Sequence, residues 1–168
     1  MRIAFVDMFF SWPPHGGGDV DMYHVINGAA EAGHDVHLFI TRDEDTWERG
    51  RIEENPPFPV SILSFSGHEF QGKNVAAQVK EKVSVWKPDG VFVGQGLLMK
   101  PYLLHALQSY PLISRYHAHE TACLKDILRF REGRSCPNAY LKTPEICRSC
   151  ALNHWGPAIR RNEQNAWL

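Results

Sequence analysis

Four cysteines fall between Cys123 and Cys150, in the pattern Cys-x12-Cys-x10-Cys-x2-Cys. A Cys-x-x-Cys pair delivers two thiolates to one tetrahedral ion, and two further cysteines complete a closed structural site. Cys123, Cys136, Cys147 and Cys150 are therefore candidate metal ligands, with zinc as the ion they suit. The irregular spacing leaves two other readings open, disulfides in an oxidised protein and inert thiols. A redox Cys-x-x-Cys normally opens a helix directly after a strand, and this one is expected not to.

A second group is built for close approach to a ligand. Pro13-Pro14-His15-Gly16-Gly17-Gly18 follows the first apolar run, and Gly94-Gln95-Gly96 follows a later one. Glycines let a backbone come near a bound molecule, and a helix start presents free N–H groups to it. Gly16, Gly17, Gly18, Gly94, Gln95 and Gly96 are the candidate substrate- or phosphate-binding residues; a plain connecting turn is the competing reading. The spacing does not suit a dinucleotide fingerprint, which needs Gly-x-Gly-x-x-Gly immediately after the strand. The lysine of a P-loop is missing too.

The third group is Tyr116-His117-Ala118-His119-Glu120. An imidazole at a strand end is suited to bonding a sugar hydroxyl, a phosphate or a metal. His117 and His119 are the candidate catalytic residues.

These groups need elements to hold them. Arg2–Asp7 reads as a buried strand. Asp19–Ala32 carries Met22, Val25, Ile26, Ala29 and Ala30 at helical spacing, and Gly33 supplies its stop. Val36–Ile40 is the second strand, residues 43–59 an exposed loop, and Val60–Phe65 the third strand. Val75, Val79, Val83 and Trp86 mark a second helix that ends at Lys87-Pro88. Gly90–Gly94, a helix over Leu97–Gln108 and a strand over Leu112–Tyr116 follow. Five strands alternating with helices predict a doubly wound, mostly parallel α/β sheet, a single Rossmann-like domain. In such a sheet ligands bind beyond the carboxyl ends of the strands, where strand order reverses. That places the crevice between the first and fourth strands. From His117 onward the rhythm breaks. A short helix near Thr121–Arg131, an irregular cysteine-rich insertion over about 121–150 and a helix after Pro157 are expected there.

The chain has 168 residues, 43% of them hydrophobic, which is enough for one domain with a real core. No apolar run approaches the roughly 20 residues of a membrane helix, and Met1–Phe10 lacks the features of a secretory signal. A cytoplasmic protein is expected. The net charge of −1 gives no reason to expect nucleic acid as a partner. Its distribution is uneven, with 4 basic and 11 acidic residues in 1–60 against 14 and 8 in 61–168. The basic cluster includes Lys125, Arg129, Arg131, Arg134, Lys142, Arg148, Arg160 and Arg161. It suits phosphates or anionic lipid headgroups, hence peripheral contact with the inner membrane face, although a merely solvated basic face has the same composition.

Met-Arg-Ile-Ala-Phe-Val-Asp at the start, the Pro13–Gly18 loop and Gly33-His34-Asp35-Val36-His37-Leu38 resemble the N-terminal domain of retaining GT-B glycosyltransferases, the group-1 or family-four enzymes. Lys87-Pro88-Asp89-Gly90-Val91-Phe92-Val93 and the strand ending at His117 are similar to later pieces of that domain. The resemblance implies the acceptor side of a two-domain enzyme that transfers a sugar from a nucleotide-sugar donor to a sugar or lipid-linked acceptor, with configuration retained. It implies donor-phosphate contact by two of Gly16, Gly17 and Gly18, and donor-sugar contact by His117 or His119. No cofactor is required for that chemistry. The donor-binding domain with its Glu-x7-Glu motif has no counterpart among these residues, so the chain alone is expected to be inactive. An end inside a predicted helix is expected of a fragment. The rival expectations are a non-catalytic zinc-binding interaction module and a free-standing nucleotide-binding domain.

Overall fold

A computed structural model describes residues 1–44, 50–96, 99–119, 122–125, 134–138 and 142–161, with side chains in the last segment described as far as His154. The order is β1 (Arg2–Asp7), α1 (Gly17–Glu31), β2 (Asp35–Asp43), β3 (Val60–Phe65), α2 (Gly72–Trp86), β4 (Gly90–Val93), α3 (Lys100–Leu107), β5 (Leu112–Ser114) and α4 (Pro144–Arg161). The strands form one sheet in the order β3-β2-β1-β4-β5. Every pair in it is parallel. This is the expected doubly wound α/β fold, with strand order reversing at β1.

Parallel strands are covered on both faces, and alternation along each strand divides the core in two. Ala4, Val6, Phe39, Val91 and Val93 pack beneath Val75, Val79 and Val83 of α2 and Leu103 and Leu107 of α3. On the other face Phe5, Leu38 and Ile40 meet Met22 and Ile26 of α1, closed over by Phe10 and Phe58. The stripes that predicted α1 and α2 are the buried stripes.

Element ends follow local chemistry. Lys87 takes a left-handed conformation (φ 54°) at the end of α2, where its N–H reaches the carbonyls of Val83 and Ser84. Pro88 then bars continuation. Asp89 ties the next strand to the first: its carboxylate accepts the Arg2 N–H at 2.7 Å, and its own N–H donates to the Arg2 carbonyl at 2.8 Å. Gly50 (φ 80°) lies against the Thr41 carbonyl, 2.8 Å from where a Cβ would stand, a conformation and a clearance only glycine meets.

Three expectations are corrected. α3 starts at Lys100 rather than Leu97, with Met99 in a preceding 3₁₀ turn. α4 starts at Pro144 and continues through Pro157 rather than beginning after it, so residues 144–150 of the stretch expected to be irregular are helical. Proline suits the first turn of a helix, where its missing N–H leaves nothing unsatisfied, so Pro144 opens α4. The helix expected near Thr121–Arg131 lies mostly outside the described residues; Ala122, Leu124 and Lys125 are in turns. Among the described residues no helix is long and apolar enough to cross a membrane.

Candidate functional site

The two glycine loops meet at the carboxyl edge of β1 and β4, where strand order reverses. Asp7, the last residue of β1, is fully buried there. Its Oδ1 accepts the Phe9 N–H at 2.9 Å and its Oδ2 accepts the Gln95 N–H at 2.8 Å. The Gln95 carbonyl returns a bond from the Met8 N–H at 3.0 Å. Burial pushes the Asp7 carboxyl from 3.8 up to about 7; the N–H groups of Gln95 and Phe9 pull it back, and the neighbouring Asp19 raises it further. Gly94 is required at this junction, since a Cβ would strike the Met22 methyl and the Asp7 carboxylate.

The first turn of α1 joins the same network. Asp19 is fully buried, and its Oδ2 accepts the His15 N–H at 2.9 Å. Its Oδ1 accepts the side-chain N–H of Gln95 at 3.0 Å. A carboxylate at this position suits the positive end of the helix dipole. It also means that an internal acid already stands at the helix start. Gly18 gives the Gln95 carboxamide its path, with the Gln95 Oε1 only 2.7 Å from the position a Cβ would take. Gly16 and Gly17 differ from it: both are exposed, and a Cβ on either would meet nothing within 4 Å. Gly16 is extended (φ −170°), a conformation any residue adopts. Neither crowding nor backbone conformation calls for glycine at Gly16. The same two residues bare the backbone on the open side of the loop.

A third group closes the far side. Arg115, just past β5, reaches 94 residues back to Asp21 with two parallel bonds, Nε to Oδ2 at 3.1 Å and Nη2 to Oδ1 at 2.8 Å. The His117 Nδ1 lies 3.8 Å from the same carboxylate. Beneath them Lys100, 2% exposed, donates from Nζ to the Arg115 carbonyl at 2.7 Å and lies 4.5 Å from the centre of the Tyr116 ring. Gly96 makes room for this lysine, its absent Cβ falling 2.8 Å from the Lys100 Cβ. Asp21 and Arg115 remain 31% and 51% exposed. The crevice thus presents a carboxylate, a guanidinium and a bare glycine backbone, with the part-buried His117 ring beside the carboxylate, a set that bonds hydroxyl groups.

His117 belongs to this edge. His119 does not join it through any described side-chain contact; its ring is exposed and its carbonyl accepts the N–H groups of Ala122 and Cys123 at 2.9 and 2.8 Å. The cysteines all carry free thiols, three half-buried and Cys150 buried. Cys147 and Cys150 lie in the first two turns of α4, where an irregular stretch reaching Cys150 was expected; residues 142 and 143 before the helix are not strand. Among the described residues no three His, Cys, Asp or Glu side chains are arranged to hold a metal ion. Sequence reasoning missed Asp7, Asp19, Asp21, Lys100 and Arg115 as parts of this edge. The one available signal was their position at or just beyond the carboxyl ends of predicted strands, or in the first turn of the helix that follows.

No family model and no curated protein matches the chain. Among solved structures it is similar to a protein from the universal stress protein family from Burkholderia pseudomallei, at 9% identity and a TM-score of 0.41, covering 67% of this chain and 94% of that one. The resemblance to retaining GT-B glycosyltransferases is corrected accordingly: this structural neighbour is of a different family. The fold explains why the motifs misled. Gly33 (φ 84°) ends α1, and Lys87-Pro88-Asp89 stops α2 and pins β4 beside β1. Residues of these kinds end helices and pair strands whatever a fold of this class does.

Proposed function

We propose that the carboxyl-edge crevice binds a hydroxyl-rich acceptor, and that the chain is the acceptor-binding half of an enzyme that moves a sugar from a nucleotide-sugar to that acceptor. The observation that carries this reading is the pairing of two open-faced glycines, Gly16 and Gly17, with the part-buried Asp21 and the exposed Arg115 that bonds it across the same edge.

Charge favours hydroxyls over a free phosphate. Asp19 and Asp21 stand on the α1 side of the crevice, and Asp19 already accepts a bond at the helix start. A phosphate brought there would be repelled. A sugar hydroxyl donates to a carboxylate and accepts from a guanidinium, so the Asp21–Arg115 pair serves both of its bonding roles. His117 stands beside Asp21, its Nδ1 3.8 Å from that carboxylate, and helps to hold it toward the hydroxyl. Donor binding and stabilisation of the leaving diphosphate fall to groups outside this chain. The reaction so proposed asks no metal or organic cofactor of these residues.

The test is equilibrium binding of the purified chain to a panel of methyl glycosides, sugar phosphates and free nucleotides. Saturable binding of a methyl glycoside, weakened in Asp21→Asn, supports the reading. A folded chain that binds nucleotides alone, or none of the panel, contradicts it.

A further inference from the structure

Cys123, Cys136, Cys147 and Cys150 come from three separate segments, yet all four line one small cavity. Cys123 lies at the turn held by the His119 carbonyl, Cys136 lies in the piece over 134–138, and Cys147 and Cys150 stand one turn apart on α4. We infer that this cavity is a structural zinc site with these four cysteines as ligands.

Convergence is the first argument. The spacing along the chain is irregular, so nothing local brings these side chains to one place; the tertiary fold does. The i, i+3 pair on α4 presents two sulfurs on one helix face, and the other two arrive from the facing segments. The second argument is charge. Lys125, 8% exposed, lines the same cavity. A zinc ion with four thiolates carries two net negative charges, and an ammonium at its side offsets them where water is scarce. The third is composition: apart from the cysteines and this lysine the wall is mainly Ala122, Leu124 and Asn138, offering no oxygen-rich set for a harder cation.

The thiols as they stand do not form a closed set of metal ligands. Each sulfur turns on one side-chain torsion, and ligation at about 2.3 Å would draw the four inward as each thiol gives up its proton. The consequence reaches the crevice. The His119 carbonyl holds the turn that carries Cys123, and His117 lies two residues before His119. A metal clasp between that turn and α4 would therefore fix the segment that places His117 against Asp21. This inference does not depend on what the crevice binds.

The test is metal content and cobalt spectroscopy of the whole chain, purified under reducing conditions. Expected are one zinc per chain, thiols that resist a disulfide reagent until a chelator is added, and a cobalt form with thiolate charge-transfer and tetrahedral bands. Cys147→Ser and Cys123→Ser should each weaken cobalt binding at least tenfold. Four freely reactive thiols and no bound metal in a folded chain would overturn the inference, as would two disulfides in the freshly purified protein. Because a cysteine variant can fail to fold, the wild-type cobalt spectrum decides the question by itself. A cobalt form lacking thiolate bands counts against the site.

Discussion

The side-chain amide of Gln95 donates to the Asp19 carboxylate at 3.0 Å, across 76 residues of chain, and so binds the loop after β4 to the first turn of α1. Gly18 is the residue that permits it. A methyl at Gly18 would occupy the place of the Gln95 carboxamide, leaving the buried Asp19 short of one donor. Gly18→Ala is expected to cost about 1–3 kcal/mol in urea unfolding. Gly17→Ala meets open space and is expected to stay within about 0.5 kcal/mol of wild type. Equal losses in the two variants would show that Gln95 is not what Gly18 makes room for.

Asp7 makes the stability of the domain depend on pH. The folded protein keeps this proton to about pH 7, whereas the unfolded chain releases it near the ordinary value of 3.8. Its contribution is whole below about pH 3.8 and is lost as pH rises through about 7, a change on the order of a few kcal/mol. His37 works in the opposite sense. Burial holds its imidazole below the ordinary 6.5 against the pull of Asp35, so its contribution is present above that value and lost as pH falls. The measurement is therefore the difference between wild type and Asp7→Asn across pH 4 to 8. Asp7→Asn should be the less stable at low pH, since an amide offers one oxygen to two N–H donors, and the gap should narrow as pH rises. A gap independent of pH would contradict the buried, proton-holding carboxyl.

Gly94→Ala should be the most damaging single methyl at this edge. The added carbon falls on the Met22 methyl and the Asp7 carboxylate, both fully buried and unable to yield without disturbing α1 or the β1–β4 junction. A loss of about 2 kcal/mol or more is expected by chemical denaturation, against a near-neutral Gly16→Ala, which meets nothing within 4 Å.

Much of this fold is legible in the sequence because it rests on local patterns. The buried run of β1, the stripe of α2 and its stop at Lys87-Pro88 all appear where periodicity and proline chemistry place them. From the order of the elements the switch point follows, and with it the meeting of the two glycine loops. What could not be read is long-range and polar. Asp7 to Gln95 and Asp21 to Arg115 are pairs 88 and 94 residues apart, with no periodic signal to join them. α4 was hidden by its prolines, since Pro144 looks like a breaker until it is known to occupy a first turn. Of the glycines in the motifs that suggested a family, Gly18 and Gly33 answer to local packing and backbone conformation, whereas Gly16 does not.

Arg134, Lys142 and Arg148 are exposed on the basic later part of the chain. If an acceptor with an anionic or lipid-linked part is held against them, changing all three to glutamine should weaken binding to vesicles containing anionic lipid. Each exposed charge removed is expected to cost about 1 kcal/mol near such a surface. Stability should hardly change, because the three side chains are exposed and the Arg148–Glu145 ion pair is a surface pair. Unaltered vesicle binding would remove the membrane from this account.

The measurement closest to the central claim is a backbone amide NMR map of the chain titrated with methyl glycosides. The account predicts shifts concentrated at Gly16, Gly17, Asp21, Gln95 and Arg115, reduced about tenfold in affinity by Asp21→Asn while the folded spectrum persists. Shifts that gather elsewhere on the folded domain, or an affinity indifferent to Asp21, would contradict a hydroxyl-binding crevice at this edge.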